Sequence, residues 1–200
     1  MSPAEPLDAA RIADALRGER FGHRVVVLDE TGSTNDIVFA MSAEHEEGLV
    51  VFAERQTAGR GQHGRRWESA AGKGLWFSVL LRPNLKPNEL PRLTSWAAQT
   101  IADNLHADLA LAAKVKPPND VYVAERKVAG ILLEMRAVPN AAHVGILGIG
   151  LNVNQAAEEF PEELRGTAAS LAMLAGESVD RHAIAITLLR ALARTYEQQL

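Results

Sequence analysis

Hydrophobic positions change their period several times along the chain, and the changes lay out its elements. Residues 7–16 carry Ile12, Leu16 and several alanines on one helical face, with Asp8 placed to cap the start and Gly18 to end it. Val25, Val26, Val27 and Leu28 form a β-branched run, the mark of a buried strand. The segment Thr31-Gly32-Ser33-Thr34-Asn35-Asp36 is rich in helix-capping types and opens a predicted helix over 37–41. Further strands are predicted at 49–53 and 74–81, the latter stopped by Pro83. Leu93, Trp96, Ala97, Ile101 and Leu105 recur at helical spacing and predict one amphipathic helix over 88–105.

A strand-rich middle follows. Residues 113–116 read as a short strand ended by Pro117 and Pro118, and 121–123 with 128–135 as a hairpin around Ala124-Glu125-Arg126. Pro139-Asn140 is predicted to turn the chain into a further strand over 143–153. From Pro161 the pattern reads as short helices and a last one over 181–197. This order predicts one α+β domain with a mixed, mostly antiparallel sheet flanked by helices.

Composition narrows the function classes. The 200 residues are 47% hydrophobic and 23% charged, ordinary for a globular domain. A net charge of −4 does not suit a chain that coats nucleic acid. The absence of cysteine excludes disulfides, thiolate metal sites and a cysteine nucleophile, and fits a reducing compartment. The first eight residues lack the basic start and apolar run of a signal peptide, so a cytoplasmic location without membrane contact is expected.

Chemistry concentrates in three places. The first is the loop over 55–67, with Gly59, Gly61 and Gly64 among Arg55, Arg60, Arg65 and Arg66. Glycines let the backbone approach a ligand, and clustered guanidinium groups call for an anion, phosphate above all. The glycines match a dinucleotide-binding spacing, but a strand and not a helix follows, which argues against that fold. A solvated surface loop and a nucleic-acid contact with Trp67 as stacking residue are the other readings. The second place is the rigid turn Lys116-Pro117-Pro118-Asn119-Asp120, followed by Lys127 at the head of an apolar strand interrupted by Gly130. Such a lysine either snorkels to the surface or is aimed into a pocket. The third is Gly148-Ile149-Gly150-Leu151-Asn152, glycines on a strand that would open a slot for a flat apolar ligand.

Ser33-Thr34-Asn35 and the segments 59–67, 116–120, 127–134 and 148–152 together resemble, in order, the motif set of the biotin protein ligases, across 31–154. That resemblance implies a fold like that of class II aminoacyl-tRNA synthetases and lipoate ligases. It implies biotin as substrate, ATP and Mg²⁺, a biotinyl-5′-AMP intermediate, and an acceptor lysine on a biotin carboxyl carrier protein or carboxylase carrier domain. Lys127 and Arg60 would then be catalytic. Biotin would be held by Ser33, Thr34, Asn35, Gln56, Gly59, Arg60, Trp67, Lys127, Gly130, Leu132, Gly148 and Asn152. The nucleotide would meet Arg60, Gln62, His63, Arg65, Trp67, Asn119, Asp120, Lys127 and Asn152, with Asp120 as the metal contact. Two positions depart from the family pattern: Gln62 stands where arginine is usual and Pro117 where tryptophan is usual. The first implies weaker retention of the reactive adenylate.

The expected organisation is a single catalytic domain over residues 1–200, without an N-terminal DNA-binding domain or a C-terminal SH3-like barrel. Expected partners are the carrier domain and, as an open possibility, a second copy in a homodimer, with neither DNA nor membrane. Lipoate–protein ligase, and a non-catalytic biotin- or nucleic-acid-binding module of the same fold, are the rival readings.

Overall fold

A computed structural model of the chain describes residues 5–138 and 143–199; the predicted turn at Pro139-Asn140 lies outside them. Seven strands form one sheet in the order β1-β2-β3-β7-β6-β5-β4. They are β1 (Arg24–Thr31), β2 (Leu49–Gln56), β3 (Gly74–Leu81), β4 (Ala113–Lys116), β5 (Asp120–Val123), β6 (Arg126–Arg136) and β7 (Val144–Asn152). Only β1 and β2 pair in parallel, through the crossover helix α2 (Thr34–Met41), and every other pairing is antiparallel. The mixed, mostly antiparallel α+β reading therefore stands.

One face of the sheet is sealed by α1 (Ala9–Ala15), α3 (Pro91–Leu109) and α5 (Arg181–Tyr196). Phe52, Leu75, Phe77, Ile131, Leu147, Ile149 and Leu151 point into that layer and are at most 3% exposed. Removing such side chains from water is the main driving term, at about 1.5–3 kcal/mol each. Asp8 caps α1 as its sequence suggests, accepting from the backbone N–H of Ala10 at 2.8 Å and of Arg11 at 3.1 Å. A buried ion pair joins the layers: Arg181 on α5 meets Glu54 on β2 at 2.6 Å.

The long helix begins three residues later than its periodicity suggests, at Pro91, because residues 87–89 make a tighter 3-10 turn first. Proline suits the first turn of a helix, where its missing N–H leaves no bond unmade. It also runs four residues further, to a left-handed Ala110 (φ 54°), an end that no glycine announces. The short helix α4 (Leu171–Ala175) follows Ser170, whose hydroxyl accepts from Met173 N at 3.2 Å.

The β5–β6 hairpin is tight. Val123 pairs with Arg126, leaving only Ala124 and Glu125 in the turn, both left-handed (φ 47° and 59°). A two-residue turn of this hand favours Asn-Gly, and each non-glycine residue in it costs about 1–2 kcal/mol. Ala124→Asn with Glu125→Gly is therefore expected to stabilise the fold by about 1–2 kcal/mol, raising the melting midpoint by roughly 2–6 °C. An unchanged or lower midpoint in a thermal melt would show that the turn holds no such strain.

Candidate functional site

The second face of the sheet is apolar at one end only. There Leu49, Val51, Leu80, Val144 and Ile146 pack with Val38 of α2. Further along the same face β7 continues with Gly148, Gly150 and Asn152, and β6 contributes Gly130 opposite Gly150. A cavity of about 1010 Å³ lies over this part of the sheet. That is the upper end of the ~300–1,000 Å³ which holds a drug-sized ligand. Every candidate site residue from the sequence lines it except Gly59. Gly59 sits at the loop base, where its carbonyl accepts from Trp67 N at 2.9 Å and a Cβ would fall 2.7 Å from the Trp67 carbonyl oxygen. There it lets the loop close on itself.

Each glycine accommodates a particular neighbour. A Cβ on Gly150 would lie 2.5 Å from the Trp67 indole Nε1, and one on Gly130 2.7 Å from its Cζ3. Trp67 thus lies flat on the bare strands as a wall of the cavity, its buried Nε1–H without a hydrogen-bond partner among the described residues, and its edge against Trp76. A Cβ on Gly148 would meet the Asn35 amide at 2.5 Å. Gly148 therefore admits Asn35, and Leu132 lines the cavity beside it.

At this end α2 and β2 assemble a polar chain. Gln56 Oε1 accepts from the Thr34 backbone N–H at 2.8 Å. Thr34 Oγ1 lies 2.7 Å from Ser78 Oγ, Ser78 donates to Asn35 Oδ1 at 2.5 Å, and Asn35 Nδ2 donates to Glu134 at 2.6 Å. Ser33 heads α2 without making a capping bond, which leaves its hydroxyl on the cavity wall. Ser78 and Glu134 were not among the expected site residues. The visible signal was a lone serine in the apolar run of β3 and a lone glutamate at the end of the apolar stretch of β6.

The basic loop folds back on itself, with Arg60 bridged to Arg66 and Gly61 N donating to Arg65 O at 2.7 Å. The Arg60 guanidinium makes a forked contact with Asp36 at 2.8 and 2.9 Å and a third bond to Glu134 at 3.2 Å. Arg136 adds contacts to the same two carboxylates at 2.6 and 3.2 Å. The hydrogen bond from Arg60, with help from Arg136, holds the Asp36 carboxyl down at about 2 against the effect of burial. Burial pushes the Glu134 carboxyl up, but bonds from Asn35 and Arg60 and both guanidinium charges outweigh it and leave its pKa below the usual value. In this geometry Arg60 anchors the loop to α2 and β6. Gln62, His63 and Arg65 remain on the cavity wall, where an anion would meet them.

Lys127 owes its direction to an irregularity in its strand. Asp120 pairs with Gly130 and Val121 with Ala129, yet Tyr122 pairs with Lys127, so Val128 is an extra residue and the register shifts. Without this bulge, strand alternation would turn Lys127 toward the helical layer. With it, the lysine stem runs over Gly130, and Nζ stands 2.7 Å from Asp120 Oδ1 and 5.3 Å from the centre of the Trp67 ring. Its backbone is clamped on the other side by Thr167 and Ala169, at 2.8 and 3.0 Å. Asn119 and Asn152, expected as ligand contacts, are tied into the cavity wall. Asn119 Nδ2 donates to Ile131 O at 2.7 Å; Asn152 donates to Ala169 O at 3.2 Å and accepts from Gln155 at 3.0 Å.

Among the described residues no group of three His, Asp or Glu side chains could hold a metal, and no helix is long and apolar enough to cross a membrane. A single carboxylate, Asp120, stands beside the cationic centre. That donor set fits Mg²⁺ arriving on nucleotide phosphates, which commonly needs only one or two protein carboxylates.

Comparison with known proteins agrees with this geometry. Residues 27–152 match the model of the biotin/lipoate A/B protein ligase family. The chain is 39% identical to a biotin–[acetyl-CoA-carboxylase] ligase of Mycobacterium tuberculosis, over 94% of this chain and 70% of that one. It is 34% identical to the bifunctional ligase/repressor BirA of Bacillus spizizenii, over 97% of this chain but only 60% of that relative's length. Its fold superposes on the biotin protein ligase of Aquifex aeolicus solved with biotin and ATP, with a TM-score of 0.74 and 32% identity, covering 88% of this chain and 71% of that one. The chain belongs to the biotin/lipoate A/B protein ligase family, and its sequence relatives place it with the biotin protein ligases.

Proposed function

We propose that this chain activates biotin with ATP, giving biotinyl-5′-AMP and pyrophosphate, and passes the biotinyl group to a lysine of a biotin carboxyl carrier protein or carboxylase carrier domain. The observation that carries this reading is the place of Lys127. The bulge turns its ammonium into a single cavity, between a polar end built by Thr34 and Gln56 and a mouth lined by Gln62, His63 and Arg65. A cyclic urea offers N–H donors and a carbonyl acceptor. Thr34 Oγ1 can accept from the first, and the Gln56 Nε2–H, turned away from the Thr34 backbone, can donate to the second. The fused ring system lies along Trp67 and the bare strands, and the carboxylate reaches Lys127.

In the first step a carboxylate oxygen attacks the α-phosphorus while the bond to pyrophosphate breaks. Negative charge gathers where two anions meet, and a fixed cation in a closed site lowers that barrier more than one in water. Lys127 supplies it, with Asp120 orienting the ammonium. Mg²⁺ held by Asp120 would neutralise phosphate charge. In the second step the acceptor amine attacks the carbonyl carbon of the mixed anhydride, AMP leaves, and an amide forms.

Incubation with labelled biotin, Mg-ATP and a biotin carrier domain is expected to label one lysine of the carrier; an unlabelled carrier would contradict the proposal. Gln62 adds an expectation of its own. It lines the cavity mouth as a neutral side chain, so Gln62→Arg is expected to slow dissociation of biotinyl-5′-AMP by about tenfold, one charged hydrogen bond being worth about 1.5–3 kcal/mol. Equal release rates in a chase experiment would remove the role given to this position.

A further inference from the structure

Resting on the biotin reading, we infer that Ser78 and Glu134 are positioning residues. Through a one-way hydrogen-bond chain they fix Thr34 as a pure acceptor, selecting acids that carry an N–H at the far end of the molecule.

The direction follows from counting hydrogens. Glu134 faces Arg60 and Arg136, and an ionised carboxylate only accepts. The Asn35 atom 2.6 Å from it must therefore be the NH₂ group, which turns Asn35 Oδ1 toward Ser78. Ser78 has one hydroxyl hydrogen, and at 2.5 Å from Asn35 Oδ1 it is committed there. The 2.7 Å contact between Ser78 and Thr34 then needs the Thr34 hydrogen. Thr34 Oγ1 also lies 3.1 Å from Gln56 Oε1, a longer contact to an oxygen already receiving the Thr34 backbone N–H at 2.8 Å. The shorter contact takes the hydrogen. Every hydrogen in the chain thus points toward Glu134, and Thr34 shows the cavity only lone pairs.

Ser78 and Asn35 are 0% and 3% exposed, so water cannot reset the chain, and Gly148 leaves the space in which the Asn35 amide sits against β7. An acid whose distal end has no N–H, such as lipoate, would leave the Thr34 lone pairs and its neighbour Gln56 Oε1 facing each other without a hydrogen between them. The urea N–H of biotin donates to the Thr34 oxygen from the cavity side.

The test compares Ser78→Ala and Glu134→Met with the parent protein, measuring binding of biotin, desthiobiotin, lipoate and ATP, with a thermal melt of each variant. Desthiobiotin keeps the urea and loses the ring sulfur; lipoate has no N–H at that end. Ser78→Ala is expected to weaken biotin and desthiobiotin by about tenfold, the scale of one hydrogen bond, and to leave lipoate and ATP within about twofold; Glu134→Met also releases Arg60, and is expected to weaken biotin and desthiobiotin about tenfold more than lipoate. The Glu134 side chain is 25% exposed, so Glu134→Met carries the test if Ser78→Ala does not fold. Equal changes for biotin and lipoate, or biotin binding unaffected in a folded variant, would overturn the inference. Failure of the parent protein to bind biotin would instead refute the biotin reading itself.

Discussion

Lys127→Ala is expected to lower the rate of biotinyl-5′-AMP formation by roughly 10²–10³-fold, the loss of about 2.7–4 kcal/mol that follows removal of one fixed group facing developing charge. Two effects contribute and can be separated. The ammonium that, on the proposed reading, faces both the carboxylate and the α-phosphate disappears. In addition, Asp120 Oδ1 is left buried, since it has no other hydrogen-bond partner among the described residues. A stranded buried charge is itself destabilising. Lys127→Ala combined with Asp120→Asn removes that second effect, so the double variant is expected to recover thermal stability while the rate stays low. Recovery of the rate along with stability would mean that Lys127 serves the fold and not the reaction.

Gly150→Val is expected to raise the biotin KM by about 100-fold, equivalent to about 2.7 kcal/mol, with little change in melting midpoint. Even the Cβ would lie 2.5 Å from Trp67 Nε1, so the indole must leave the bare strands and the cavity loses a wall. The strand tolerates the change, because β-branched residues suit extended backbone and Gly150 has an extended partner on either side in Gly130 and Trp76. The clash is with a loop residue and not the helical core, which separates binding from stability. A variant that loses stability and biotin affinity together, or keeps both, would show that Trp67 is not seated on Gly150 in solution.

Much of the fold was legible because the period of the hydrophobic pattern reports directly on which faces are covered. β3 and β4 have the bounds their sequences suggest, and α5 starts at Arg181 behind its Asp180 cap. The sequence also brought Lys127, Gly130, Gly148 and the loop around Trp67 to attention, and these line one cavity. What stayed hidden depends on pairing between distant segments. The bulge at Val128 decides which way Lys127 faces, yet it exists only in the register between β5 and β6. The capture of Arg60 by Asp36 and Glu134 joins residues 24 and 74 positions away, which no local spacing announces. The packing of Gly59 against the Trp67 backbone was hidden too, because local spacing does not show which glycine lets a loop close.

The proposed joining of biotin's carboxylate to the α-phosphate of ATP takes place in this cavity. Its most direct test is exchange of labelled pyrophosphate into ATP, with Mg²⁺ and no carrier protein, comparing biotin, lipoate and no acid. Exchange that depends on biotin, far exceeds that with lipoate and collapses in Lys127→Ala is the expected result. Exchange driven equally by lipoate, or absent with every acid while ATP still binds, would contradict the account.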